Sequence, residues 1–238
     1  MFRTLRTAAR TRLARRWDVP EIPFALERLK QNGFSPQSVF DVGAYQGDFA
    51  ALCFQLWPAT NVKCFEVLPE PSNKILTMAE KHPGRLQLIP CLLGAEIRPH
   101  VEFNLCETAS SVLNELAKAN TKKAFFPMRT IDEVVERDLL GQAPDFLKMD
   151  VQGYELEVLK GAARSLPSIK VILAEVNLLD IYDGVPLLAE LVSWLSDRGW
   201  AAYDICGLIR RPLDRALWQA DMIFVPENGP LRQKKQYA

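Results

Sequence analysis

Four acidic positions and one glycine turn are the residues of this chain whose types and spacing can do chemistry. The turn is Asp41-Val-Gly-Ala-Tyr-Gln-Gly47, which follows an apolar run beginning at Ser38. Gly43 permits a tight strand-to-helix turn and Gly47 lets the next helix pack close, so the backbone can approach a ligand. The spacing is G-x-x-x-G rather than G-x-G-x-x-G, and Asp41 stands just ahead of it. That carboxylate repels a pyrophosphate and attracts a cation. Glu66 closes the next apolar run, Cys64-Phe-Glu-Val67, about where an acid in a doubly wound fold accepts hydrogen bonds from both ribose hydroxyls. Leu92, at the end of a third apolar run, is the candidate wall against a base. With Tyr45 in the turn, the expected cofactor-binding positions are Asp41, Gly43, Tyr45, Gly47, Glu66 and Leu92. Acid, glycine turn and second acid describe a nucleoside pocket without phosphate recognition. S-adenosylmethionine fits that description: adenosine, a sulfonium, an amino acid and no phosphate.

Asp150 ends the run Asp145-Phe-Leu-Lys-Met-Asp, and Glu175 lies near the end of Ile172-Leu-Ala-Glu-Val-Asn177. A carboxylate at the end of a buried strand needs a reason for its charge. Both are expected to be catalytic, with a structural partnership to a backbone or lysine group as the alternative for Glu175. Glu155 and Glu157 fall in the first turn of the following helix, where they complement its dipole. Ordinary pKa values near ~3.9 and ~4.3 make Asp150 and Glu175 feeble bases unless they are desolvated. The same pair can instead hold a divalent metal that acidifies a hydroxyl, an alternative the spacing does not favour. Two histidines, His82 and His100, leave little for a zinc site or a Ser-His-Asp triad.

The elements that must position these groups alternate. A helix is expected over 21–32, and the first strand runs from Ser38 into the glycine turn. Phe49, Leu52, Cys53 and Leu56 then recur at helical spacing, closed by Pro58. Further strands are expected over 62–67, 86–93, 146–151 and 169–176, with helices over 71–81 and 154–166. Thr130-Ile-Asp-Glu133 reads as a capping box that opens another helix. The stretch 94–129 is less regular, with a strand over 101–105 and a helix over 110–119. A helix through Leu188 and Leu195 ends at Gly199, and strands over 200–206 and 218–225 form a closing pair. Continuous apolar strands separated by helices mean a mostly parallel sheet covered on both faces. The expectation is one doubly wound α/β domain over residues 18–228, with a basic arm at 1–17 and a tail at 229–238.

Composition narrows the classes further. The 238 residues are 48% hydrophobic and 24% charged, with 29 basic and 29 acidic side chains. These are ordinary globular values that exclude a disordered or collagen-like chain. No bulk charge argues for nucleic acid. Six of the arginines lie within residues 1–17, which hold no acid. That arm is read as solvated, with contact to an anionic surface or an organellar presequence as alternatives. No run approaches the ~18 apolar residues of a membrane span. Five scattered cysteines without a C-x-x-C pair suit reduced thiols in a cytoplasmic setting.

Taken together, Val39 to Gly47, Phe65-Glu66, Arg129 to Asp132, Phe146 to Gly161, Glu175-Val176 and Asp221 to Val225 resemble the FkbM family of S-adenosylmethionine-dependent methyltransferases. The likeness spans about residues 34–225, and the Lys148 to Gly161 block is its most specific part. Tyr45 stands where the family often has Asn, Val67 where a Pro usually follows the glutamate, and Gln152 where Glu is common. The resemblance implies a seven-stranded Rossmann-like sheet with one antiparallel strand, and transfer of a methyl group, usually to a hydroxyl. Family members tend to act on sugars, glycans or secondary metabolites, so the implied partner is a small-molecule or glycan acceptor. Loops at 94–129 and 177–186 are expected to shape its pocket. Two rival readings remain: a non-catalytic binding module on the same scaffold, and a nicotinamide oxidoreductase. The latter wants G-x-G-x-x-G and no acid at position 41.

Overall fold

The structure, a computed structural model, describes residues 16–106, 110–116 and 122–236. In chain order the first elements are α1 (Ile22–Gln31), β1 (Ser38–Val42), α2 (Asp48–Leu56), β2 (Asn61–Phe65), α3 (Pro69–Lys81) and β3 (Leu86–Ile89). There follow β4 (Leu92–Leu93), β5 (Arg98–Leu105), β6 (Lys122–Arg129), α4 (Ile131–Arg137), β7 (Phe146–Met149) and α5 (Glu155–Lys160). The last are β8 (Val171–Asn177), α6 (Leu188–Ser196), β9 (Trp200–Arg210) and β10 (Leu217–Pro226).

Seven strands make the main sheet in the order β3-β2-β1-β7-β8-β10-β9. The first five run parallel, and β10 runs antiparallel to both of its neighbours. This is the mostly parallel, Rossmann-like architecture expected from the apolar runs. Alternate residues of each strand feed two cores. Val39, Phe146, Val171 and Ile223 pack with residues of α1, α2 and α3. Phe40, Leu147, Ile172 and Phe224 pack with residues of α4, α5 and α6. The strand order reverses direction between β1 and β7, so a crevice opens beyond their carboxyl ends.

Several local expectations are corrected. The run over 86–93 is two strands, because Pro90 has no N–H to donate to a ladder. β3 stays in the main sheet, while β4 joins a second sheet of order β4-β6-β5. β6 has no counterpart among the expected strands, since Pro127 weakens its signal. The proline is tolerated in this central strand because β5 is irregular opposite it, between Arg98 and Val101. The expected helix over 110–119 is not formed at 110–116. There Ser111 bridges Asn104 and Glu115 bridges Tyr182, and 117–119 lie outside the described residues.

The helix expected over 154–166 stops at Lys160. A Cβ on Gly161 would lie 2.0 Å from the Gly94 carbonyl oxygen, so only glycine allows this approach to the second sheet. A 3₁₀ turn at Leu166–Ser168 follows. The capping box at Thr130 is half made. Its hydroxyl accepts from the Glu133 N–H at 3.0 Å, but the Glu133 carboxylate pairs with Arg129 and Arg137 rather than reaching back. The basic arm lies outside the described residues before Arg16. No helix among the described residues is long and apolar enough to cross a membrane.

Candidate active site

A cavity of about 380 Å³ opens at the carboxyl ends of β1, β2, β7 and β8, beneath the second sheet. That volume lies within the range of small-molecule sites. Six of the eight residues singled out from the sequence line it: Gly43, Tyr45, Glu66, Leu92, Asp150 and Glu175. The other two do not. Gly47, at the start of α2, faces Ile75 and Met78 of α3, and a Cβ there would sit 3.3 Å from the Met78 methyl. Its role is to bring those helices together.

Asp41 is wholly buried under the glycine turn, with Lys148 Nζ 3.0 Å from its Oδ1. The register pairs Asp41 of β1 with Lys148 of β7, which sets both side chains on one face of the sheet. The contact is an ion pair without good hydrogen-bond alignment. The aligned bond of Lys148 goes instead to the Gly43 carbonyl at 3.0 Å. Burial pushes the Asp41 pKa up, against the pull of the ammonium. Burial also works against the Lys148 charge, but Asp41 and Asp150 more than offset it and hold its pKa above the ordinary value. Asp41 therefore does not line the cavity and lies beneath the turn against Lys148.

Glu66 braces two loops. Oε2 accepts from Tyr45 N–H at 2.9 Å and Oε1 accepts from Leu68 N–H at 2.8 Å. Tyr45 holds a left-handed φ of 47° to present that N–H, a conformation unusual for a residue with a Cβ. Burial raises the Glu66 pKa, while these backbone donors lower it. Leu92 on β4, with Cys91 and Leu93 beside it, supplies an apolar wall.

At the other end, the Asp150 side chain is 43% exposed and its Oδ2 lies 3.8 Å from Lys148 Nζ. Glu175 is 4% exposed, and burial, followed by repulsion from Asp150, Glu155 and Asp221, pushes its pKa well up. Gln152 stands between them. Its Nε2 donates to Asp150 Oδ1 at 3.0 Å and to Glu175 Oε1 at 3.1 Å. Gln219 of β10 donates to the same Glu175 oxygen at 2.5 Å. Gln152, Gln219, Tyr154 and Trp218 are not among the residues that the sequence singles out for the site. Gln152 alone carries a signal, as a departure inside the most specific motif.

Glu155 is buried and organises the turn after β7, its Oε1 accepting from Val151 N–H at 3.0 Å and Gly153 N–H at 3.3 Å. Burial pushes its pKa from 4.5 to about 7, and pushes Asp221 from 3.8 to about 6. Between these values the native chain binds more protons than the unfolded one, so stability falls as pH rises. The contribution is present below about pH 4 and is lost as pH passes 6 and then 7. For Glu155 alone the loss is on the order of 3 kcal/mol. Urea titrations of the ligand-free protein at pH 5 and pH 8 are expected to show the drop. Glu155→Gln, which keeps an acceptor oxygen, should reduce it by the Glu155 share and leave that of Asp221; an unchanged pH slope in that variant would assign the drop elsewhere.

The strand order, the glycine turn, the second-strand acid and the family model for the methyltransferase FkbM domain, matched over residues 41–200, agree. The chain belongs to the FkbM methyltransferase family. It is 30% identical over 156 residues to the hexuronic acid methyltransferase AglP of Haloferax volcanii, covering 64% of this chain and 61% of that protein. The crystal structure of an FkbM methyltransferase from Methylobacillus flagellatus aligns with a TM-score of 0.53 at 19% identity, covering 80% of this chain and 43% of that one. The chain thus spans less than two thirds of the length of either relative.

Proposed function

We propose that this chain transfers a methyl group from S-adenosylmethionine to a hydroxyl of a sugar or glycan. One observation carries the reading. The switch-point cavity is lined by the Glu66 carboxylate just after β2, by the Asp150 and Glu175 carboxyls at β7 and β8, and by the apolar side chains of Leu92 and its neighbours on β4.

These residues fit the cofactor. The Glu66 carboxylate has about four acceptor sites, and its backbone donors at Leu68, Tyr45 and Val67 leave capacity for a ribose hydroxyl. Leu92 and its neighbours on β4 offer the base an apolar surface. The net negative charge of the wall suits a cationic sulfonium. When bound, S-adenosylmethionine supplies an electrophilic methyl group on a neutral leaving group. The protein's task is then alignment of the acceptor oxygen and acceptance of its proton. Asp150 is the carboxyl placed to accept it, because it lines the cavity and is the more open of the two. Its side chain is 43% exposed, with Oδ1 held by Gln152 and Oδ2 3.8 Å from Lys148 Nζ, whereas burial favours the protonated form of Glu175. Glu175 orients the two glutamine amides instead. The hexuronic acid named for the archaeal relative makes a hexuronate-bearing glycan the first acceptor to try.

The test is mass spectrometry of glucuronic-acid-terminated and neutral oligosaccharides incubated with the protein and methyl-labelled S-adenosylmethionine. Labelled product is expected from one of these acceptors. Glu66→Ala should weaken S-adenosylhomocysteine binding by about 1.5–3 kcal/mol in calorimetry. Asp150→Asn should leave that affinity intact and cut turnover about 10²–10⁴-fold. Binding of NAD with no response to S-adenosylhomocysteine would overturn the proposal.

A further inference from the structure

Gln152 is held more tightly than a surface loop residue has reason to be. Its backbone takes a left-handed φ of 53°, followed by Gly153 at 97°. Its carbonyl accepts from Ser111 Oγ at 2.9 Å, and the N–H groups on either side of it are both tied to Glu155. Strain of this kind persists only where the surroundings over-determine it. The side chain is equally fixed. Its amide nitrogen reaches both Asp150 and Glu175, and its Oε1 accepts from the Tyr182 hydroxyl at 3.1 Å.

That last contact decides which way the amide points. An amide can turn end for end with little change of shape. A carboxylate oxygen such as Asp150 Oδ1 only accepts, so it requires the NH₂ end, while the oxygen end requires a donor. Tyr182 supplies that donor. It is buried, although it lies in the loop between β8 and α6. The same loop meets residues 110–116 through the Glu115–Tyr182 bridge and the Asp183 N–H, which donates to the Asn114 carbonyl. A reversed amide would set its oxygen against the Asp150 carboxylate and strand the phenol donor.

We infer that Tyr182 is a positioning residue for methyl transfer: its hydroxyl locks the Gln152 amide, which holds the Asp150 and Glu175 carboxyls together as one electrostatic unit facing the cavity. The inference rests on the reading of the cavity as an S-adenosylmethionine site. The unit fixes the Asp150 carboxylate, whose charge attracts a sulfonium and does nothing for a thioether. Loss of the lock should therefore reduce the preference for S-adenosylmethionine over S-adenosylhomocysteine while sparing affinity for the latter.

The experiment pairs calorimetry with NMR on the full chain. The variants are Tyr182→Phe, Gln152→Asn and the double variant; asparagine tolerates the left-handed backbone but is too short to span both acids. Both single variants should lower the affinity ratio of S-adenosylmethionine to S-adenosylhomocysteine about three- to tenfold, the size of one net hydrogen bond. The double variant should do no worse than either single one. The Gln152 side-chain NH₂, slow to exchange in the wild-type protein, should exchange at least about tenfold faster in Tyr182→Phe. An unchanged ratio in Tyr182→Phe, independent additive effects, or an equally protected amide would overturn the inference. If neither ligand binds the wild-type protein, the cofactor reading fails, and the amide exchange still judges whether Tyr182 locks Gln152.

Discussion

Replacing Lys148 by methionine is expected to cost about 3–5 kcal/mol, the usual penalty for stranding one member of a buried ion pair. The ammonium has three obligations at once: Asp41 at 3.0 Å, the Gly43 carbonyl at 3.0 Å and Asp150 at 3.8 Å. Methionine fills a similar volume, so packing is largely preserved and the loss is electrostatic. Asp41 would be left wholly buried without a cation, and it would fold only in its protonated form. At roughly 2–4 °C per kcal/mol for a chain of this size, the melting temperature should drop by about 10 °C. The paired replacement Asp41→Leu with Lys148→Met removes both charges and should recover most of that stability, because an apolar pair is often as good as a buried salt bridge. Differential scanning calorimetry of the three proteins decides the matter. A single variant as stable as wild type would show that the pair is not what holds β1 to β7 here.

The second large effect is at Gly43. An added Cβ would sit 1.9 Å from the Asp150 carbonyl oxygen and 2.9 Å from its carbonyl carbon, and φ is +72°. The obstacle is backbone, not the tip of a flexible side chain, and the Asp150 N–H is itself bonded to the Val42 carbonyl at 3.0 Å. Gly43→Ala must therefore prise the end of β7 from β1 as well as hold a left-handed backbone. The loss should exceed about 4 kcal/mol, in the range of strained or overpacked sites. Gly84 provides the control, with φ of +73° and nothing within 4 Å of where a Cβ would stand. Gly84→Ala should cost only the backbone penalty of about 1–2 kcal/mol. Urea denaturation of both variants isolates the crowding. Equal losses at the two positions would mean that the turn relaxes freely.

Much of this molecule is legible in its sequence, for a local reason. Strands such as Val39-Phe-Asp-Val42 and Phe146-Leu-Lys-Met149 are apolar on both faces, and only a sheet covered on both sides demands that. Gly43 and Gly47 mark a turn that few other residues can make, and carboxylates that end apolar strands announce a cleft. Element order, the glycine turn, Glu66, Asp150 and Glu175 follow from such signals. What only the tertiary structure decides depends on register and on contacts between distant segments. In an apolar strand nothing local says which face a charge takes. Asp41 therefore reads as facing a ligand, and only its pairing with Lys148 places it beneath the turn. The second sheet needs 92–93, 98–105 and 122–129 brought together, and Pro127 conceals its central strand. Gln152, Tyr182 and Gln219 are ordinary polar residues singly. They become a network because β8, β10 and two loops converge on Glu175 and Gln152, and no pattern within any one of those segments records that meeting.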